Sequence, residues 1–169
     1  MSHSTKVFVH GVPETSAVWS PLVDELSTRG VTNIVLLSPP GFGTPSPAGW
    51  GASMYDYRDW LLNELDNIDG PIDLVAHDWG AGYLYNALAT QPHIVRSWAT
   101  DVIGMLHPDY IWHDGALRWQ TPDIGEQWVA GMVALSDQDF VDLFAAAGIT
   151  PSAAALIKSH VNDDMARCI

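Results

Sequence analysis

Asp78 is the residue whose type and setting offer the most chemistry. It lies between an apolar run, Ile72-Asp73-Leu74-Val75, and Gly82-Tyr83-Leu84-Tyr85-Asn86-Ala87-Leu88-Ala89. The first reads as a short buried strand and the second as a helix. Ala76 before it and Gly80, Ala81 and Gly82 after it are small enough for strand and helix to meet in a sharp turn. Residue 78 then occupies the strained tip, with its side chain pushed out of the sheet. A carboxylate presented this way can attack a saturated carbon and carry it as an ester until water releases it. A plainer reading also fits: an Asp just before a helix can be an N-cap.

His10-Gly11-Val12-Pro13 is the second constellation. It follows the apolar strand Lys6-Val7-Phe8-Val9 and leads through Glu14-Thr15-Ser16 into a helix. A turn of this kind would aim the Val12 N–H at the Asp78 turn. With the Trp79 N–H it would form a hole for a developing oxyanion. Gly and Pro would also produce an ordinary strand-to-helix turn unaided. Both motifs, in this order and each between a strand and a helix, make the stronger case together.

The elements needed to hold these groups alternate along the chain. Thr32 to Leu37 reads as the second strand and ends in the turn-rich segment Ser38 to Pro47. A helix over about Met54 to Ile68 carries Met54, Tyr57, Leu61, Leu65 and Ile68 on one stripe, with Ser53 as its cap. The helix after Ser16 buries Trp19, Leu22, Val23 and Leu26. Ile94 to Ile103 contains a fourth strand. This alternation predicts an α/β fold, a mainly parallel sheet with flanking helices.

After Gly104 strands give way to helical stretches, about Ile124–Leu135, Asp137–Ala147 and Pro151–Ile169. The chain is therefore expected to divide into a core part, 1–104, and a helical cap region, 105–169. Ile157, Val161, Met165, Cys168 and Ile169 continue the last stripe with no Gly, Asn or Pro read as its stop.

Composition narrows the partners. With 169 residues, 47% of them hydrophobic, the chain can bury one core. A net charge of −13, from 20 acidic and 7 basic residues, argues against nucleic acid or an anionic membrane. No apolar stretch approaches the roughly 18 residues of a membrane span, and no signal-peptide pattern opens the chain. The single cysteine, Cys168, cannot form an internal disulfide, and a cytoplasmic setting is expected. No cofactor is indicated. His107 and His113 flank Asp109, but Pro108 disfavours a helix that would align them, and no metal site is expected.

The chain resembles the α/β-hydrolase superfamily, in particular the branch of epoxide hydrolases and haloalkane dehalogenases. The resemblance rests on His10-Gly11-Val12-Pro13, on Pro40-Gly41-Phe42-Gly43 with Thr44 and Pro45, and on His77-Asp78-Trp79-Gly80-Ala81-Gly82. It covers residues 5 to 105 well and is architectural beyond. It implies that Asp78 is the nucleophile, that Val12 and Trp79 form the oxyanion hole, and that a histidine activates water to hydrolyse the ester. In the family that histidine follows the cap on later strands, so this chain looks like the N-terminal part of a longer enzyme whose C-terminal half is a partner for catalysis. His10 reads as structural, His77 as pointing away from the nucleophile, and His107, His113 and His160 as parts of a solvated face. His3 falls in a frayed terminus. Asp101 is the candidate acid, or else a strand-end carboxylate.

A cap rich in tryptophan suits a small apolar substrate, with Trp79, Tyr110, Trp119 and Trp128 lining its pocket. Tryptophans filling a helical core would look the same. Dehalogenases resemble His-Gly-Asn-Pro at the first turn, where the Asn side chain donates to halide. Val12 cannot, so epoxide hydrolysis leads, haloalkane dehalogenation is the alternative, and a non-catalytic module of the same fold is a third reading.

Overall fold

The computed structural model describes residues 4–101 and 103–169, so His3 lies outside the described residues. Four parallel strands, β1 (Thr5–Val9), β2 (Ile34–Leu37), β3 (Ile72–Ala76) and β4 (Ser97–Thr100), form one sheet in the order β2-β1-β3-β4. β1 is central, and its Val7 and Val9 are fully buried. A strand covered on both sides needs continuous apolar sequence, which Val7-Phe8-Val9 supplies. In the β1–β3 register Val9 lies opposite Ala76, and the His77 N–H continues the ladder to Val9 O at 2.9 Å. This register brings the segment after Val9 beside the segment after Ala76. All four carboxyl ends open on one edge, the usual place for a site in a parallel α/β sheet.

α1 (Ser20–Thr28) follows a 3-10 turn at Ser16–Trp19, α2 spans Met54–Asp66 and α3 Trp79–Thr90. Ser53 and Asp56 close a reciprocal capping box at the start of α2. Tyr57, Leu61 and Leu65 of α2 and Ala81, Leu84 and Ala87 of α3 join Val7, Val9 and Leu74 in the main core. Phe42 enters this core from the turn after β2, held by the Tyr57 hydroxyl donating to Pro40 O at 3.0 Å. The expected burial of α1 does not occur. None of its residues is fully buried: Leu22 is 39% exposed, and Val23 and Leu26 are half-buried.

The remaining helices are α4 (Asp114–Trp119), α5 (Ile124–Ala134), α6 (Asp137–Ala146), α7 (Pro151–Lys158) and α8 (Asp163–Cys168). α4 was not expected. The predicted continuous helix over Pro151–Ile169 is instead two. Asn162 breaks it by accepting from the N–H groups of Asp164 and Met165, a new N-cap. The break has a packing reason: Ile157 belongs to the apolar cluster of α5–α7, whereas Met165 belongs to the sheet core. Asp164 secures the return by accepting from Ser46 N–H at 2.7 Å and Oγ at 2.5 Å. Among the described residues no helix is long and apolar enough to cross a membrane.

Candidate active site

Asp78 stands alone at the tip between β3 and α3, with φ 50° and ψ −126°. A non-glycine residue held there stores about 1–3 kcal/mol of strain, which the surroundings must offset. They allow it through small residues. A Cβ on Gly80 would lie 2.7 Å from His10 O and 2.8 Å from Val9 O, so only glycine lets α3 start this close to β1. The Asp78 side chain caps no helix N–H. Its Oδ2 instead accepts from the Val12 N–H at 3.0 Å, and the Trp79 N–H also favours its charge. Burial nevertheless wins and raises the Asp78 pKa above the ordinary 3.8, with the Val12 and Trp79 N–H groups and the His77 charge opposing it.

The carboxylate opens into a cavity of about 630 Å³ between the sheet edge and the helical segment. Trp79, Tyr110, Trp119 and Trp128 all line it, with Val12 and Phe144. Trp112, not assigned to the pocket from sequence, stacks on Trp79 with ring centroids 5.9 Å apart and meets the Tyr110 ring edge-on at 5.0 Å. Trp119 packs against Trp128 at 5.4 Å. The aromatic wall makes a largely apolar chamber that two half-buried carboxylates, Asp78 and Glu14, also line.

Two described histidines line this cavity, His77 and His113. His113 Nδ1 accepts from the Ala116 N–H at 3.2 Å, capping α4, so the neutral ring carries its proton on Nε2 and is a donor. His77 is not turned away from the site as expected. Its Nδ1 lies 2.5 Å from Asp101 Oδ2 and its Nε2 3.6 Å from Glu14 Oε1. These carboxylates, Glu14 foremost, outweigh burial and raise its pKa to about 9. At neutral pH it is an imidazolium. His10 is fully buried and lowered to about 4 by desolvation, and it does not line the cavity.

Asp101 sits just beyond β4, and both its oxygens are engaged. Besides His77, it accepts the Asp78 N–H at 3.1 Å through Oδ1. Glu14, which sequence reasoning passed over, accepts the Gly11 N–H at 3.4 Å. Its one available signal was a carboxylate directly after the His-Gly-Val-Pro turn.

The sequence matches the profile of the alpha/beta hydrolase family over residues 7–164. The chain belongs to that family. A haloalkane dehalogenase of Mesorhizobium japonicum is 28% identical over 153 residues, covering 83% of this chain and 46% of the relative. The chain thus spans about half the length of that curated relative. Among solved structures, a haloalkane dehalogenase loop variant from Bradyrhizobium elkanii matches 99% of this chain and 68% of its own, with a TM-score of 0.61 and 18% identity. A mutant of a "putative epoxide hydrolase" from Pseudomonas aeruginosa matches 99% and 60%, with a TM-score of 0.71 and 20% identity. At such identities these two structures establish the fold.

Proposed function

We propose that Asp78 is the nucleophile of an epoxide hydrolase-like reaction proceeding through an alkyl ester. The observation that carries this is the Asp78 carboxylate at a strained turn, bound by the Val12 N–H and facing an aromatic cavity. Asp78 attacks a ring carbon, the C–O bond opens, and the ring oxygen takes a proton from a donor in the cavity, where the Tyr110 phenol is available. Water then attacks the ester carbonyl, and the N–H groups of Val12 and Trp79 receive the oxyanion. That second step needs a base. His77 is held charged and His113 presents a donor, so neither described histidine of the cavity supplies it. The family resemblance implies that the base comes from a C-terminal half, and the chain covers only 46% of the dehalogenase relative's length.

A second reading, halide displacement by the same Asp78, draws on the 28% identical dehalogenase. The apolar Val12 side chain, which lines the cavity, weighs against it.

Incubation with a small aryl epoxide tests the proposal. One persistent adduct on the intact protein, mapped to Asp78 and lost in Asp78→Asn, is expected. A positioned base contributes ~10²–10⁴ in rate, so an ester formed without one persists. Rapid catalytic turnover with no trapped ester would overturn the assignment of the base, and an adduct elsewhere would overturn that of the nucleophile.

A further inference from the structure

The reaction outlined above uses neither Glu14 nor His77, yet with Asp101, the candidate acid, they form a continuous chain of contacts through the site. It runs from the Gly11 N–H to Glu14 Oε2 at 3.4 Å, and from Glu14 Oε1 to His77 Nε2 at 3.6 Å. From His77 Nδ1 it reaches Asp101 Oδ2 at 2.5 Å, and from Asp101 Oδ1 it ends on the Asp78 N–H at 3.1 Å. Its two ends are backbone amides, one at the nucleophile and one beside Val12. The span between them is the span that the Val12 N–H···Asp78 bond must close, at 3.0 Å.

We propose that the Glu14–His77–Asp101 bridge is a positioning device that sets the His-Gly-Val-Pro turn against the nucleophile turn, with His77 as its cationic link. The inference rests on the reading of Asp78 as nucleophile. Three segments, after β1, β3 and β4, meet here, and among the described residues no backbone bond joins the first to the third. The imidazolium ties them through a short charge-assisted hydrogen bond to Asp101, a class roughly twice as strong as its neutral counterpart, and an ion pair to Glu14 at 3.6 Å. Precise support of this kind keeps a site within the small tolerance that catalysis allows.

Among the described residues, His113 and Tyr110 share the cavity that His77 lines. Of the groups facing His77 itself, Glu14 and His10 come from the segment after β1, Asp101 from the end of β4 and Asp78 from its own turn. Trp19 presents its ring edge-on at 6.3 Å. On the helical side, Gly148, Ile149, Thr150 and Ala153 border the adjoining cavity and bring no charge. Two carboxylates, Glu14 first and Asp101 through its short hydrogen bond, outweigh burial and keep the link protonated. Deprotonation, with a midpoint of about 9, removes the cation and loosens the bridge.

Two measurements on the whole chain test this. In the first, NMR follows the His77 ring and the Val12 and Asp78 amides through pH. The amides should shift with the same midpoint as His77, and Glu14→Gln or Asp101→Asn should lower that midpoint toward 6.5. Amides that stay still while His77 titrates, or a His77 midpoint near 6.5 in the unmodified protein, would overturn the proposal whether or not the protein is active. In the second, Asp78 labelling by the epoxide should slow at least tenfold in Asp101→Asn and His77→Gln. The unmodified protein should label more slowly as pH rises through about 9, and His77→Gln should lose that decline. Equal labelling rates in folded variants would overturn the positioning role. Failure of the unmodified protein to label, with the coupled NMR titration intact, would count against the nucleophile and leave the bridge standing.

Discussion

Asp78 fits in its place because Gly11 has no side chain. A Cβ on Gly11 would lie 2.7 Å from Asp78 Cγ and closer still to Oδ2. The residue beside the proposed oxyanion donor is therefore also the one that leaves room for the nucleophile. Gly11→Ala must push the carboxylate off the Val12 N–H. We expect it to abolish labelling of Asp78 and to destabilise the fold by about 1–3 kcal/mol, as overpacking does. Epoxide labelling with mass spectrometry and urea unfolding read the two effects. Labelling at the original rate would show that the turn yields instead.

What the sequence made legible was local. The Asp78 turn depends on small residues within a few positions, and Gly80 against His10 O shows why. β1, β2 and β3 were equally plain, since each holds a short apolar run, whereas β4 is the mostly exposed Ser97–Thr100. The fate of an apolar stripe was not legible: Leu22 and Leu26 mark a face of α1, but periodicity does not say whether anything covers it. The continuous stripe from Ile157 to Met165 hid a break for a related reason, because its two halves pack into different cores. Asn162 with Asp163 and Asp164 behind it carried a capping signal that would have marked the new start. Glu14 escaped, and so did the pairing of Asp101 with His77, because their meeting depends on the register of three separate strands.

The pH dependence of stability should have two opposed limbs from histidines. His10 is held near pKa 4 in the fold, so the unfolded chain takes up a proton that the fold refuses. Stability therefore falls as pH drops from about 6.5 to about 4, by up to about 3 kcal/mol at 1.36 kcal/mol per unit. His77, raised to about 9, has the opposite sign. Its contribution is complete below about pH 6.5 and is lost as pH rises through about 9. Urea unfolding across this range should show both limbs, and His77→Gln should flatten only the alkaline one. An alkaline slope that survives in His77→Gln would assign it to other groups.

Val12 separates the two leaving groups. Its side chain lines the cavity beside Asp78 and Trp79 and offers no donor. Val12→Asn should raise halide release from short haloalkanes in a single Asp78 alkylation, by up to the ~1.5–3 kcal/mol of a hydrogen bond to a charged group. Epoxide labelling should gain less. Halide measured against labelled protein gives the ratio directly. Good halide release by the unmodified protein, unchanged by the substitution, would reverse the preference for epoxides.

Labelling should also fall in acid, because only ionised Asp78 can attack. Burial raises its pKa above 3.8, so the rate should begin to drop at a higher pH than for an exposed aspartate. Well below the midpoint it should fall tenfold per pH unit. The neighbouring imidazolium acts in the other direction and lowers the Asp78 pKa. Removing that charge in His77→Gln should therefore move the acid midpoint upward while the alkaline limb disappears. The two changes have one cause but opposite pH ranges, which a general loss of structure would not reproduce. Rates of adduct formation against pH, measured for both proteins with an epoxide stable across the range, give the midpoints. An acid midpoint at or below 3.8, or one that moves downward in His77→Gln, would show that the cavity does not desolvate Asp78 as its burial requires.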